Sequence, residues 1–417
     1  MKLFTCRNCN NTLYFENSIC LSCQNPIGFD STQLSMLTLQ KNKNEAFYTD
    51  IHTKKTYKYC QNAQEATCNW LIPSTHTATF CIACELNRTI PPLTIAQNRE
   101  RWHKIEIAKH RLVYSLLKLQ LPIKKKTNNS IEGIAFDFTS DNHAKTVLTG
   151  HQSGLITINI KEADEAERAK HKYDLNEKYR TLLGHFRHEI GHYYWDVLIK
   201  NNPKQLKQFR ELFGNETVSY EQSLRAYYSK PVKNTSNHYI SIYATSHPWE
   251  DWAESWAHYM HLMDTVETAF NFGIQLDTAS LRERNISALK ISNPYEIKKF
   301  IDIFNMWVPL GFAVNGLSRS MGHPEFYPFV ISEEIIEKLS FIHKICKKNC
   351  VIDETIDTIL IDKEKLTVEA DQIQTASELS IQEPVAAKKQ VQSQTQGNDA
   401  QTSESKGSLL SSLFGKK

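Results

Sequence analysis

The spacing of cysteines near the start of the chain restricts its fold more than any other feature. Eight of the ten cysteines precede residue 85, and the first four follow the pattern C-x2-C-x10-C-x2-C: Cys6, Cys9, Cys20 and Cys23. Four thiolates at this spacing bind zinc tetrahedrally and leave no open coordination position. Asn10 follows the first pair and tolerates the left-handed backbone that turns N–H groups toward sulfur. The pattern predicts a zinc ribbon, which is held together by metal rather than by a large core.

The next four cysteines are spaced more loosely, as C-x7-C-x12-C-x2-C: Cys60, Cys68, Cys81 and Cys84. Two consecutive zinc sites and two interleaved sites are both compatible with this spacing, and His76 is an alternative ligand. We therefore expect a double zinc-ribbon region over residues 1–93 with two structural zinc ions. Such ribbons often bind a protein or nucleic acid. A net charge of +3, without a basic stripe of interleaved aromatics, argues against nucleic acid.

The chain's first residues lack the apolar segment of a signal peptide, and no stretch approaches the length of a transmembrane helix. Ten cysteines in such a chain indicate a reducing compartment, where close cysteine pairs bind metal more often than they form disulfides. We therefore predict a cytoplasmic protein without membrane contact. Cys346 and Cys350 lack a second cysteine pair and are predicted to be free thiols.

Hydrophobic periodicity predicts an α+β, helix-rich region with a small sheet after the ribbon. A helix over 98–119 lies in the connection assigned to residues 94–122, and Pro122 ends it. The region from 123 to 350 then contains two alternating strands and four helical segments. The strands are predicted over 134–138 and 155–160, and the helices over 165–200, 249–262, 294–304 and 333–344.

Residues 351–417 form a tail that is predicted to be largely disordered. Residues 370–408 contain no aromatic side chain and cannot bury enough apolar area to offset the entropy of ordering. Four apolar residues near the end would lie on one helical turn and could dock to a protein partner: Leu409, Leu410, Leu413 and Phe414. An incidental apolar end is the alternative interpretation.

A five-residue motif inside the longest predicted helix has the spacing of a metal site: His188-Glu189-Ile190-Gly191-His192. Residues i and i+4 lie one above the other on a helix, so both histidines can face one ion. Glu189 lies beside them, where it can accept a proton from a metal-activated water. Trp195 and Ile199 continue this face and indicate that it is buried. His185, one turn earlier, is expected on the helix surface or in a hydrogen bond to a ligand.

The third ligand separates the subclasses of zinc peptidases that share this motif. The positions that hold a glycine and a third histidine in metzincins are Trp195 and Leu198 here, which excludes that arrangement. Glu250 and Glu254 instead lie four residues apart in a tryptophan-rich helical segment. In gluzincins a glutamate from a second helix completes a His2Glu zinc site, and a nearby acid orients a ligand histidine. This assigns Glu250 to zinc and Glu254 to a histidine of the motif, with the reverse assignment left open.

Three stretches resemble the bacterial zinc-binding metallopeptidases that carry an N-terminal zinc-ribbon region: CIACELNRTIP at 81–91, YRTLLGHFR at 179–187 and SRSMG at 318–322. The resemblance extends from the N-terminus to about residue 345 and implies a zinc-dependent hydrolysis without naming a substrate. The chain is more distantly similar to lethal-factor-like gluzincins, in which a tyrosine seven residues before the ligand glutamate stabilises the oxyanion. That similarity implies this role for Tyr243, with core packing as its alternative.

Together these features predict a zincin-like metallopeptidase domain over 123–350, of the gluzincin endopeptidase type, that hydrolyses a protein or peptide substrate. One catalytic zinc would join the two structural ions, with Glu189 assisting the attack of a zinc-activated water. The 155–160 strand is predicted to be a sheet edge that pairs with substrate. Arg319 and His323 are further candidate contacts, unless their loop is structural. The alternative function is a non-catalytic zinc-ribbon adaptor or regulator whose helical domain keeps a structural metal.

Overall fold

The computed structural model describes residues 2–42, 47–65, 67–127, 133–141, 147, 149–174, 180–229, 237–277 and 290–347. It confirms the α+β class, with a zinc-ribbon part followed by a helix-rich part that contains a small sheet. The predicted tail, its apolar end and Cys350 lie outside the described residues. Cys346 is buried in the last turn of the final described helix.

The first seven strands, which end at Pro73, pair only in antiparallel fashion. A short hairpin precedes a five-stranded meander in which each strand pairs with the next along the chain. An isolated bridge joins Phe29, in the first strand of this meander, to Trp70, the residue directly before its last strand. The strands are β1 (Phe4–Thr5), β2 (Thr12–Leu13), β3 (Ile27–Asp30), β4 (Ser35–Lys41), β5 (Tyr48–Asp50), β6 (Thr56–Tyr59) and β7 (Leu71–Pro73).

A second sheet has the strand order β10-β11-β9-β8. It comprises β8 (Asn87–Thr89), β9 (Ala135–Thr139), β10 (Gly150–Gln152) and β11 (Leu155–Asn159). Strand β9 runs parallel to β8 and β11, whereas β10 is antiparallel to β11. Because β11 lies between β10 and β9, the prediction that 155–160 forms a sheet edge is wrong. The edge at this side of the sheet is β10, a three-residue strand.

Eight α-helices are found in the described residues. They are α1 (Ala96–Lys118), α2 (Glu165–Asp174), α3 (Leu182–Leu198), α4 (Pro203–Phe213), α5 (Tyr220–Ser229), α6 (Pro248–Asn271), α7 (Phe300–Ser320) and α8 (Glu333–Cys346). The single helix predicted over 165–200 is therefore wrong. Thr181 has an extended backbone, and its hydroxyl accepts a hydrogen bond from the Gly184 N–H at 3.0 Å, which starts α3 as a new helix.

Two other predicted helices have different bounds in the structure. The prediction of 294–304 is wrong at both ends, because Pro294–Glu296 form a 3-10 turn and α7 begins at Phe300. Helix α6 continues nine residues beyond the predicted end at 262. Its later turns remain apolar on one face, with Met263, Val266 and Ala269 all buried.

Close packing of α3 against α6 brings the motif histidines beside the second helix. A Cβ atom added at Gly191 would lie 3.1 Å from Trp256 Cβ and 3.2 Å from Ala253 Cα. The Trp252 indole N–H also donates to the Gly191 carbonyl at 2.9 Å. The two helices approach so closely because the fourth residue of the motif has no side chain.

Among the described residues, α7 is long and apolar enough to cross a membrane by length and composition. The prediction that no stretch approaches this length is therefore wrong. Residues of its first half, including Ile303, Phe304 and Leu310, are buried in the protein core. Core helices of this kind pass the same test of length and composition, so the absence of membrane contact stays a prediction.

Candidate metal centres

The sulfur atoms of the first four cysteines, Cys6, Cys9, Cys20 and Cys23, all lie within 4.8 Å of one another. The Sγ atoms of Cys6 and Cys23 lie 3.6 Å apart, as do those of Cys9 and Cys20. A tetrahedral zinc with bonds of about 2.3 Å would place its sulfurs about 3.8 Å apart. Asn10 has a φ of 60°, which confirms the predicted left-handed turn after the first cysteine pair.

The second four cysteines form a separate buried group, so the two groups are consecutive rather than interleaved. Cys68 Sγ lies 3.7 Å from Cys81 Sγ. Backbone N–H groups of Trp70 and Cys81 point at cysteine sulfurs at 3.4 Å, as expected around thiolates that bind a metal. His76 is exposed and takes no part in this group.

Helix α1 supplies a buried polar group beside Cys84. Glu106 Oε2 lies 3.6 Å from the Cys84 sulfur, and His110 Nε2 lies 3.5 Å from it. Lys109, fully buried, pairs with Glu106 at 2.9 Å. Burial raises the pKa of Glu106, against the opposing attraction of Lys109. This group was not predicted from the sequence, although Glu106 and His110 lie four residues apart on the buried face of the predicted helix.

A third group combines the two motif histidines of α3 with a carboxylate from α6. Ligand atoms of His188, His192 and Glu250 all lie within 4.8 Å of one another. Glu250 Oε2 lies 3.0 Å from His188 Nε2 and 3.4 Å from His192 Nε2. Glu250 is 1% exposed, and Trp249 covers His192 with ring centroids 4.0 Å apart. The structure therefore brings the three predicted catalytic-zinc ligands together.

The start of α6 fixes where Glu250 lies. Pro248 occupies the first helical position, and the His247 side chain accepts a hydrogen bond from the Trp249 N–H at 3.0 Å. Glu250 is thus in the first turn, where the positive end of the helix dipole favours a carboxylate. Burial opposes ionisation of Glu250, but His192 and His188 outweigh it and hold its pKa well below 4.5.

Glu254 contacts the opposite nitrogen of the first motif histidine. Its Oε1 lies 2.8 Å from His188 Nδ1, while its Oε2 accepts a hydrogen bond from the Ser241 hydroxyl at 2.6 Å. A proton on Nδ1 that is donated to Glu254 would leave the Nε2 lone pair of His188 for a metal ion on the side of Glu250. Burial lowers the pKa of His188, but Glu250 and Glu254 outweigh burial and raise it well above 6.5. This geometry favours Glu250 over Glu254 as the ligand.

Glu189 and Tyr243 lie close to this group without being part of it. Burial raises the pKa of Glu189, whose carboxylate makes no hydrogen bond with any described residue. The ring of Tyr243 is 5.9 Å from that of His188. Within the described part of the chain the Tyr243 hydroxyl has no hydrogen-bond partner, and burial followed by Glu250 raises its pKa. Both side chains are therefore available to a bound molecule.

The remaining candidates lie elsewhere. His185, on α3, has its Nδ1 3.2 Å from Glu162 Oε2 and does not belong to the metal group. Arg319 is in the last turn of α7, not in a loop, and forms an ion pair with Glu325. His323 is exposed beyond the end of that helix. These contacts support a structural role for the 319–323 segment.

Comparisons with known proteins match each of two segments of the chain to a protein family or domain. A family model described as "Putative zinc-binding metallo-peptidase" matches residues 98–345. The chain belongs to this zinc-binding metallo-peptidase family. A zinc-ribbon domain model matches residues 3–95, ahead of the metallo-peptidase segment. Both descriptions name zinc, and each matched segment contains described residues that could hold a metal ion: the cysteine groups and the histidine–glutamate group.

The chain has relatives in mycobacteria. Uncharacterized proteins of Mycobacterium tuberculosis and Mycobacterium bovis are 37% identical to it over 346 residues. The match covers 83% of this chain and 95% of each relative. No solved structure matches the chain significantly.

Two residues near the histidine–glutamate group were not predicted from the sequence. The Tyr220 hydroxyl, at the start of α5, donates to Glu250 Oε1 at 2.6 Å. His151, on the edge strand β10, has its ring 6.0 Å from that of His192. Neither residue belongs to a motif, and each is about thirty or more positions from its partner. No local sequence signal could have found them.

Proposed function

We propose that this protein is a zinc-dependent peptidase that hydrolyses peptide bonds in a protein or peptide substrate. The observation that carries the proposal is the convergence of His188, His192 and Glu250 beside a buried carboxylate, Glu189, that makes no hydrogen bond with any described residue. Two imidazole nitrogens and one carboxylate oxygen are the donor set of gluzincin-type catalytic zinc sites. This set leaves one coordination position for water or substrate.

Each side chain would have a separate task. A zinc ion held by the three ligands would act as a Lewis acid and lower the pKa of water toward about 7. Glu189 accepts the proton of the attacking water and returns it to the leaving amine. Its pKa, raised by burial, suits a carboxylate that holds a proton between two transfers. Glu254 fixes the Nδ1 proton of His188, so that Nε2 presents its lone pair to the ion.

Two further features support a peptide as the substrate. Strand β10 is the terminal strand of its sheet and packs against α3, the helix of the motif. Backbone groups on such an edge can pair with an extended peptide, which gives β10 the role first predicted for 155–160. Tyr243 lies on the His188 side of the metal group, where its hydroxyl can donate to the oxyanion of the tetrahedral intermediate. An endopeptidase of gluzincin type is the specific form of the proposal.

A non-catalytic zinc-ribbon adaptor is the alternative. A structural site does not require a carboxylate such as Glu189 beside its first histidine, and it fills the fourth position with protein. The experiment that separates the two readings counts zinc per chain by elemental mass spectrometry and measures cleavage of denatured casein and mixed quenched-fluorescent peptides. Wild type is compared with Glu189→Gln, His188→Ala and the exposed control Glu211→Gln.

The peptidase proposal expects three zinc ions in wild type, Glu189→Gln and Glu211→Gln, and two in His188→Ala. It expects cleavage by wild type and Glu211→Gln only, with Glu189→Gln slowed by at least about 100-fold. Three zinc ions without any cleavage by wild type would support the adaptor. Two zinc ions in wild type, both kept in His188→Ala, would exclude the third site. Cytoplasmic location and binding of a protein partner through the ribbons stay predictions.

A further inference from the structure

The two carboxylate oxygens of Glu250 have different partners. Oε2 faces both motif histidines, at 3.0 Å from His188 Nε2 and 3.4 Å from His192 Nε2. Oε1 accepts a short hydrogen bond of 2.6 Å from the Tyr220 hydroxyl. Glu250 is almost fully buried, so solvent does not compete for either oxygen. One oxygen thus faces the metal group, and a phenol holds the other.

Tyr220 reaches this buried carboxylate from an exposed helix. It is the first residue of α5, in which no residue is buried. Its ring packs edge-on against His247 and Trp249, with centroid distances of 5.2 and 5.9 Å. A second contact joins Tyr227 of α5 to Tyr243, with ring centroids 5.7 Å apart. Helix α5 therefore touches both the ligand carboxylate and the candidate oxyanion donor.

A hydrogen bond to one oxygen changes how a carboxylate binds a metal. It uses a lone pair and draws charge from Oε1, so Oε2 becomes the better donor. If Oε1 also bound the ion, it would take the position that water and the substrate carbonyl need. A tyrosine hydroxyl ordinarily has a pKa of about 10, so it is a hydrogen-bond donor at neutral pH.

We propose that Tyr220 is a positioning residue that restricts Glu250 to one-oxygen binding and so keeps the fourth coordination position open. This inference rests on the proposed zinc site and adds a residue that the motif does not contain. It also gives different roles to the two tyrosines near the metal group, Tyr220 and Tyr243. Tyr220 is engaged with the ligand, whereas the hydroxyl of Tyr243 has no partner among the described residues and can meet the substrate.

The test compares Tyr220→Phe with Tyr243→Phe and with Tyr173→Phe, a control at an 87% exposed position on α2. Phe keeps the ring contacts of Tyr220 and removes only the donor. Zinc affinity of the third site is measured by chelator competition. Cobalt absorption spectra are recorded after cobalt replaces zinc in that site, while the closed cysteine sites keep zinc. Circular dichroism and the two cysteine-bound zinc ions verify folding of each variant.

We expect Tyr220→Phe to bind the third zinc about 10- to 100-fold more weakly, as for other residues that orient a ligand. Its cobalt bands should weaken, because five-coordinate cobalt absorbs less than four-coordinate cobalt. Excess zinc should restore occupancy but not kcat. Tyr243→Phe should lower kcat while keeping the wild-type zinc affinity and cobalt spectrum. Tyr173→Phe should match wild type throughout.

Unchanged zinc affinity and an unchanged cobalt spectrum in Tyr220→Phe would overturn the inference. This outcome is distinct from failure of the proposed function. If wild type binds only two zinc ions, the catalytic site itself is excluded. If wild type binds three and Tyr220→Phe holds the third as tightly, only the role of Tyr220 is excluded.

Discussion

His188 Nδ1 lies 2.8 Å from Oε1 of Glu254, one helical turn after the ligand glutamate on α6. The imidazole is thereby held between two carboxylates of one helix, each on a different ring nitrogen. Glu254 is itself fixed by the Ser241 hydroxyl at 2.6 Å. The orientation of the His188 ring therefore depends on Glu254 and, through Glu254, on Ser241.

Glu254→Gln tests whether this hydrogen-bonded carboxylate orients His188. Without the negative charge, His188 holds its Nδ1 proton less firmly and becomes a poorer ligand, so zinc affinity of the third site should fall about 10- to 100-fold. The cysteine sites should keep their zinc. Chelator competition measures both, with Glu100→Gln on the exposed face of α1 as the control. Equal affinity in Glu254→Gln and wild type would remove Glu254 from the site.

Gly191→Ala tests the close approach of α3 and α6. The new methyl group would press on the Trp256 side chain and the Ala253 backbone, and should lower the free energy of unfolding by about 1–3 kcal/mol. Gly316→Ala in α7 is the matched control, because its added Cβ meets no atom within 4 Å. That change should stabilise by up to about 1 kcal/mol through helix propensity. Chemical denaturation measures both, and equal effects would contradict the packing argument.

Lys109→Met tests the buried pair beside the second cysteine group. Glu106 would lose its counter-charge inside the core, which should cost about 3–5 kcal/mol of unfolding free energy. Adding Glu106→Gln removes the uncompensated carboxylate, so the double variant should be more stable than Lys109→Met alone. A double-mutant cycle measures this coupling. Strict additivity of the two changes would show that Lys109 and Glu106 have no interaction energy with each other.

His343 should make the fold sensitive to mild acid. It is 1% exposed on α8, and burial lowers its pKa from 6.5 to about 4. The unfolded chain takes up its proton near pH 6.5 and the folded chain only near 4, so acidification in that window favours unfolding. The expected loss is roughly 1.4 kcal/mol between pH 7.5 and 5.5, and about 3 kcal/mol by pH 4.

His343→Gln should lose less stability than wild type over the same pH step, even if it is less stable at pH 7.5. Unfolding free energies at pH 7.5 and 5.5, with zinc at fixed concentration, measure the difference. His323→Gln, at an exposed position, serves as the control for loss of an imidazole. An unchanged pH dependence in His343→Gln would assign the acid sensitivity to other groups.

The sequence predicted those parts of the site that depend on local spacing. Two histidines four apart must share a helix face, and two C-x2-C pairs must bring four thiolates together. The orienting acid also followed from spacing, because Glu254 is one turn from Glu250. The five-stranded meander was not predicted, since its strands are short and mix polar with apolar residues.

Local spacing could not predict contacts between segments that are far apart in the sequence. Tyr220 is thirty residues from Glu250 and belongs to a helix without a buried face. The sheet edge was misplaced because β11 has the stronger alternation, whereas strand order depends on pairing that periodicity does not encode. The break before α3 had a signal in Thr181 ahead of two leucines, but the surrounding periodicity concealed it.

Strand β8 begins three residues after Cys84, the last cysteine of the ribbon, and its partner is β9 of the metallo-peptidase segment. Cutting the chain between the two family segments would strip one side of β9, whose first four residues are all buried. An apolar strand with an open side is a template for aggregation. The ribbon region thus supplies a strand that covers one side of β9, and the metallo-peptidase segment should aggregate when it is made without the ribbon.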